Sequence, residues 1–411
     1  MKVIFDLESD GLLDQLTKIH CIGHYDLDAR SGQVSLAHTD QDIEQCIRML
    51  QDADEIIGHN IIAFDIPAIQ KVYPWFKPTG KITDTLVISR LVAADLITDD
   101  ATSVILPDDF QKRLWGSHSL RAWGLRMGTM KGDYDGGWEE CNQEMLDYCI
   151  QDVNVTSSLY SHLMVKATDF SERSLDLEHE LAEICFRIGN NGWTFDRDGA
   201  NELYAELAKL RIQLEKDLHE LFEPWEVHQD FIPKVNNKAR GYVKGEIFTK
   251  VSVVEFNPNS RKHIHRCLAD KYGWKPKAFT PSGEAKVDEQ VLSQLPYPEA
   301  QKLAKFFLVQ KRIAQLAEGS QAWMKKVDND GKIRHTIISG GTVSGRAAHR
   351  SPNAAQVPST RAAFGKQCRD LWTVPKGWTL CGADLSGLEL RCLAHYLDDG
   401  GEYAKQILES D

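Results

Sequence analysis

Five residues in this chain have the types and spacings that phosphodiester cleavage needs: Asp6, Glu8, Asp65, Tyr148 and Asp152. Asp6 and Glu8 are two apart in a strand-like start, so both face one side. Asp65 closes the run His59-Asn60-Ile61-Ile62-Ala63-Phe64-Asp65, where a helix should begin. Tyr148 and Asp152 are four apart in a helical stretch and share a face. Four converging carboxylates cannot all stay ionised without cations among them. The set points to two Mg²⁺ or Mn²⁺ ions roughly 4 Å apart, one activating a water and the other stabilising a leaving 3′ oxygen. Each piece alone has a plainer reading. A lone Asp-x-Glu is more often solvated, Asp65 beside Pro67 fits a helix cap, and Tyr148 fits a core aromatic. Their joint occurrence in this order selects the metal reading.

The elements that must position these residues follow from periodicity. Val3-Ile4-Phe5 reads as a buried strand ending at Asp6, and residues 19–25 as a second. A turn at Asp28-Ala29-Arg30-Ser31-Gly32 leads into a strand over 33–37. A helix follows, capped by Asp40, with Ile43, Cys46, Ile47 and Leu50 on one face. Residues 55–58 form a short strand, and helices fall near 65–72, 86–92, 119–126 and 139–165. Such an order predicts an α/β domain, a mixed sheet covered by helices, with a boundary near residue 170. Residues 172–222 are helical. Leu175, Leu181, Ile184 and Ile188 make one packing stripe; Leu203, Leu207, Leu210, Leu214 and Leu218 make another. Residues 224–259 read as loop and strand, with Lys234, Lys238, Arg240, Lys244 and Lys250 interleaved with Tyr242 and Phe248. They fit a phosphate-tracking surface and a solvated basic face equally. Helix resumes over 260–272 and 298–327, and a tight turn at 328–331 opens a glycine-rich, strand-like stretch to Pro358.

A length of 411 residues implies two or three domains. The formal charge of −12 is uneven: residues 1–170 hold 27 acids against 14 bases, the remainder 33 against 34. Net charge therefore does not exclude a polyanionic partner. There is no signal-peptide core before Asp6 and no apolar run of membrane-spanning length, so a cytoplasmic location and no membrane partner are expected. Nine cysteines without a C-x-x-C pair argue for reduced thiols, and singly scattered His and Cys argue against zinc.

With these motifs in view, residues 1–165 resemble the 3′→5′ proofreading exonuclease domain of family A DNA polymerases, in its DEDD form with a tyrosine. The three family motifs match Asp6/Glu8, Asp65 and Tyr148/Asp152. The resemblance implies an RNase H-like fold, Asp6 bridging both ions, and Tyr148 with Glu8 orienting the attacking water. Asp84 lies in a similar stretch and fits either a supporting role or a helix cap. Gly116-Ser117-His118-Ser119-Leu120 and Met130-Lys131-Gly132 resemble a loop that contacts single-stranded DNA in phage members, which implies His118 and Lys131 as DNA contacts.

The far end carries a second set. Thr342-Val343-Ser344-Gly345-Arg346, then Ser351–Pro358, then an expected strand over 378–383 ending in Asp384-Leu385-Ser386-Gly387-Leu388-Glu389 resemble palm motifs of the phage replicative subgroup. Asp384 alone fits a helix cap. The resemblance makes it one of two metal-binding palm aspartates, with the Leu385 carbonyl beside it as a metal ligand. It places Glu389 at the incoming nucleotide, and Arg346, Gln356, Lys311 and Arg312 at the primer–template. The expected organisation is exonuclease domain over 1–170, helical thumb and thumb base over 171–335, and first part of an α+β palm over 336–411. A complete polymerase also needs a fingers helix and a second palm aspartate, which this sequence does not contain. A second polypeptide supplying them is the expected partner, besides DNA. Relatives that recruit thioredoxin carry a long thumb insert. The short 224–259 stretch argues against thioredoxin here. A stand-alone DEDD nuclease acting on DNA or RNA has no use for residues 340–396, and a non-catalytic DNA clamp has none for the carboxylates.

Overall fold

The first strand is buried on both faces, which makes it the centre of a sheet. In the computed structural model, which describes residues 1–29, 32–103, 106–107, 110–130, 132–397 and 401–409, β1 (Lys2–Ser9) pairs antiparallel with β2 (Ile19–Asp26). β3 (Ser35–Ala37) adds outside β2, while β4 (Glu55–Gly58) and β5 (Lys81–Asp84) extend the other edge in parallel. The order is β3-β2-β1-β4-β5. Phe5 and Leu7 face α1 (Asp40–Asp52) and α2 (Asp65–Val72) in one core with Ile43, Leu50, Ile66 and Ile69. On the opposite face α3 (Thr85–Val92), α4 (Leu96–Thr102), α5 (Leu120–Met127) and the long α6 (Gln143–Lys166) gather around Ile88, Trp123 and Leu159. Ile4 and Ile57 meet Val153 of α6. A Cβ at Gly23 of β2 would stand 3.0 Å from Val153 and 3.2 Å from the Cys149 sulfur. The bare glycine thus lets α6 settle onto the sheet, and with it Cys149 and Asp152.

α7 (Glu172–Asn191) ends at Gly192, in the left-handed region at φ +66°. Next come β6 (Trp193–Phe195), α8 (Arg197–Leu221), the hairpin of β7 (Trp225–Phe231) and β8 (Phe248–Val254), α9 (Arg261–Tyr272), α10 (Glu289–Ser293) and α11 (Pro298–Ile313). Leu203, Leu207, Leu214 and Leu218 of α8 pack with Leu303, Phe306 and Val309 of α11 in a second core. β9 (Lys332–Ile333) joins β6, and the hairpin of β10 (Thr336–Ile338) and β11 (Ala348–Arg350) lies against α7. α12 (Gly365–Asp370), β12 (Trp372–Thr373), α13 (Leu388–Tyr396) and α14 (Glu402–Glu409) complete the described chain.

Several expectations are corrected. The first helix is capped by Thr39, whose hydroxyl accepts the Asp42 N–H, not by Asp40, which lies within the first turn. α6 begins at Gln143 with Asn142 as its cap, later than the pattern suggested. The helix expected over 298–327 ends at Ile313 in a π-helical turn, Ala314–Glu318, followed by a separate 3₁₀ turn, Trp323–Lys326. Residues 378–383 form no strand. No described segment pairs with them, and an extended run without a neighbour has no ladder to satisfy its backbone.

The stripe on α7 also departs from expectation: Leu181, Ile184 and Ile188 are 38%, 48% and 46% exposed, while His179, Cys185 and Gly189 are buried. This helix packs through its smallest residue. A Cβ at Gly189 would lie 2.2 Å from the His335 carbonyl oxygen, so only glycine admits the hairpin strand. Gly189→Ala should therefore lower stability by about 1–3 kcal/mol through overpacking, read as a lower midpoint in chemical denaturation. An unchanged midpoint would show that the helix is not seated there.

Candidate active site

The four carboxylates of the sequence pattern meet at the middle of β1. Asp6 and Glu8 project from the same side of the strand. Their oxygens and the Cys149 sulfur lie within 4.8 Å of one another. Asp65, the first residue of α2, is buried and accepts the backbone N–H of Leu7, between the two. Asp152, also buried, sits one turn beyond Tyr148 on α6 and acts on Asp65 through space. Tyr148 is half-buried, with its ring 5.8 Å from that of Tyr134. Asp6 and Asp152 open with His118 onto one cavity of about 850 Å³.

Burial pushes the Asp65 carboxyl up to about 7, and the negative charges of Asp84 and Asp152 add to the shift. Crowding of this kind is relieved by divalent cations, and hard carboxylate oxygens from four residues fit Mg²⁺ or Mn²⁺. Cys149, which the sequence reading passed over, lies inside the cluster. Its hydrogen bond with Cys21 and its burial raise the thiol well above the usual range. The signal was available: Cys149 adjoins Tyr148 and is one helical turn from Asp152.

Asp84 is both helix cap and support. Its carboxylate accepts the N–H groups of Leu86 at 2.9 Å, Asn60 at 2.8 Å and Ile62 at 3.1 Å. Asn60 holds φ +69°, a conformation asparagine tolerates better than most residues. Asp84 thereby fixes the loop that delivers Asp65. Its own N–H donates to Nε2 of His179 at 2.8 Å, and Nδ1 of His179 donates to the Leu175 carbonyl at 2.7 Å.

The His118 loop is held by a buried ion pair. Arg126 grips Asp100 with two hydrogen bonds of 2.9 and 2.7 Å and donates to the Ser117 carbonyl at 2.8 Å. Asp100 also accepts the Gly116 N–H at 2.7 Å. His118 packs at 3.1 Å from the Ser89 hydroxyl, and burial with Arg90 and Arg126 pushes it down to about 4. Lys131 lies outside the described residues.

The second set is arranged differently. Asp384, Leu385 and Glu389 are exposed around an open hollow of about 620 Å³. Arg346 reaches Glu389 at 2.6 Å, so two residues expected at separate ligands face each other across a solvent-exposed ion pair. Lys311 and Gln356 are exposed. Arg312, expected at DNA, is only 6% exposed; it donates to Gln315 at 2.8 Å and to the Ala363 carbonyl at 3.4 Å, tying α11 to the segment before α12.

Comparison with known proteins follows the same division. Residues 3–97 match the RNase H superfamily, and residues 230–401 match DNA polymerase family A. The chain is 34% identical to the DNA-directed DNA polymerase of Enterobacteria phage T3 and 33% identical to that of Escherichia phage T7; each alignment spans all of this chain and 71% of the relative. Both alignments run over 508 positions against 411 residues, so 97 positions (the difference) have no counterpart here. DNA polymerase I of Pseudomonas aeruginosa is 26% identical over 97% of the chain, which spans 41% of that protein. The fold matches the structure described as the POL domain of Pol1 from M. smegmatis in complex with DNA primer-template and dNTP. There the TM-score is 0.63 at 15% identity, over 96% of this chain and 58% of the other. A nuclease-type sheet carrying a carboxylate cluster, followed by polymerase elements, defines a polymerase with an RNase H-like domain. The chain belongs to DNA polymerase family A, of the phage type. Likeness over the full length favours that reading over a stand-alone nuclease.

The buried Asp65 gives a signed pH dependence. In the folded, metal-free chain it keeps its proton to about 7, whereas the ordinary value of 3.8 applies when unfolded. Stability is therefore lost as pH rises across that window. Asp65→Asn, which cannot ionise, should melt several degrees above the parent at pH 8 in EDTA, with the gap closing below pH 4. A gap that is flat with pH would refute the buried-charge account.

Proposed function

We propose that this chain is a two-metal 3′→5′ DNA exonuclease of the proofreading kind and the amino-terminal portion of a DNA-directed DNA polymerase. The observation that carries the nuclease reading is the convergence of Asp6, Glu8, Asp65 and Asp152 at the end of a cavity sized for a ligand. Those four carboxylates would hold two Mg²⁺ ions. When bound, the ions supply Lewis acidity at the scissile phosphate and lower the pKa of the attacking water. Tyr148, with Glu8, orients that water. His118 and Lys131 hold the single strand, and the bidentate Arg126–Asp100 pair keeps the His118 loop in place. Asp65, embedded beside Leu7, fixes the position of the site relative to β1.

Nucleotide addition requires more than the described palm. Asp384 and Leu385 would form half of a metal platform, Glu389 would meet the nucleotide, and Arg346, Gln356 and Lys311 the primer–template. Trp378, Leu390 and Leu393 around them are 74%, 52% and 47% exposed, an apolar face that fingers and remaining palm would cover. These would come from a second polypeptide or from further chain, in the cytoplasm of a host cell. The short β7–β8 hairpin supports synthesis without thioredoxin.

Asp6→Ala combined with Glu8→Ala should abolish Mg²⁺-dependent digestion of a 3′ single strand, by at least a thousandfold, with an unchanged circular dichroism spectrum; full digestion by that folded variant would refute the nuclease reading. Co-expression with the neighbouring reading frame should yield a complex that extends a primer. A compact monomer that only degrades DNA would defeat the polymerase half of the proposal.

A further inference from the structure

One wall of the cavity before the carboxylates does not come from the nuclease sheet and its helices. The cavity begins at Asp6 and Asp152 and closes on Gly340, Thr342 and Arg350 of the β10–β11 hairpin. Arg350 lines it together with Arg90 of α3, and both also line the adjoining cavity of about 630 Å³. The two arginines therefore border both hollows. Gly340 brings the hairpin in: it holds φ +57°, and a Cβ there would lie 3.6 Å from the Cβ of Arg90.

Neither arginine side chain has a hydrogen bond or ion pair among the described residues. Arg90 is half-buried, and burial and the like charge of Arg350 both weigh against its positive charge. The acid that compensates it, Asp84, acts through space while its oxygens accept three backbone N–H groups. His118, on the same wall, adds no positive charge at neutral pH. The cavity thus carries both signs of charge, carboxylates together with two guanidinium groups that have no hydrogen-bonded partner among the described residues. Planar five-donor forks from two separate parts of the chain suit one ligand chemistry, an anion with several oxygens, and arginine pairs bidentately with phosphate.

We infer that Arg90 and Arg350 form a clamp that grips a phosphodiester of single-stranded DNA, upstream of the one cut at the carboxylates. The hairpin whose loop carries Arg346 is then also part of the nuclease's substrate site. The identity of the strand rests on the exonuclease reading above.

Binding of a short 5′-labelled oligothymidylate, followed by fluorescence anisotropy in EDTA, tests the clamp without catalysis. Arg350→Ala should bind about tenfold more weakly, with a slope of log Kd against log salt smaller by about one. Arg350→Lys should fall between. Arg90→Ala should behave alike, and the double variant should be about as weak as either single one, because both arginines serve one phosphate. Arg350 is exposed, so its replacement leaves the fold intact. Parental affinity and salt slope in Arg350→Ala, or fully additive losses in the double variant, would overturn the clamp. Weakened binding by Arg350→Ala in a chain that never digests DNA with Mg²⁺ would sink the exonuclease reading and leave the clamp standing.

Discussion

Everything in the first half of this molecule serves the placing of negative charge where water is scarce. Carboxylates repel one another more strongly as solvent is withdrawn, and a site that gathers four of them must be fixed in place by bonds stronger than that repulsion. The fixing is done by backbone. Asp65 leans on the Leu7 N–H, and Asp84 collects three N–H groups from the loop before α2 and the start of α3. Gly23 removes the side chain that would hold α6, and hence Asp152, away from the sheet.

How far this was legible in sequence depended on whether a residue's role was set by its neighbours in the chain. Strand alternation and helical spacing put Asp6 and Glu8 together on β1 and Tyr148 and Asp152 one turn apart on α6, because each lies inside a regular element whose period fixes its direction. Arg90 escaped notice because its role arises from what another segment, the one carrying Arg350, brings to it. The α7 stripe misled for a related reason. Leucine and isoleucine at helical spacing announce an apolar face, yet the contact that seats α7 is made by Gly189, whose value lies in having no side chain. Arg312 shows the converse: a basic residue in a helix suggests a phosphate, while its fork here bonds a carbonyl and a glutamine inside the protein.

The two candidate sites differ in how finished they are. In the nuclease half, Asp65, Asp84 and the Arg126–Asp100 pair under the His118 loop are each placed by a named contact. Around Asp384 the backbone is irregular and the apolar side chains face solvent. The contrast follows from burial. A carboxylate gains a defined position from low dielectric and hydrogen-bond donors, and residues 378–390 have few of either.

His179 carries one more implication, for where the molecule could be divided. It belongs to α7, beyond the point at which the chain leaves the nuclease sheet, yet its imidazole caps the Asp84 amide from outside. A fragment trimmed at residue 170 would strip that amide of its acceptor and lay bare the pocket behind the motif loop. A durable excised nuclease would have to retain the part of α7 that carries His179.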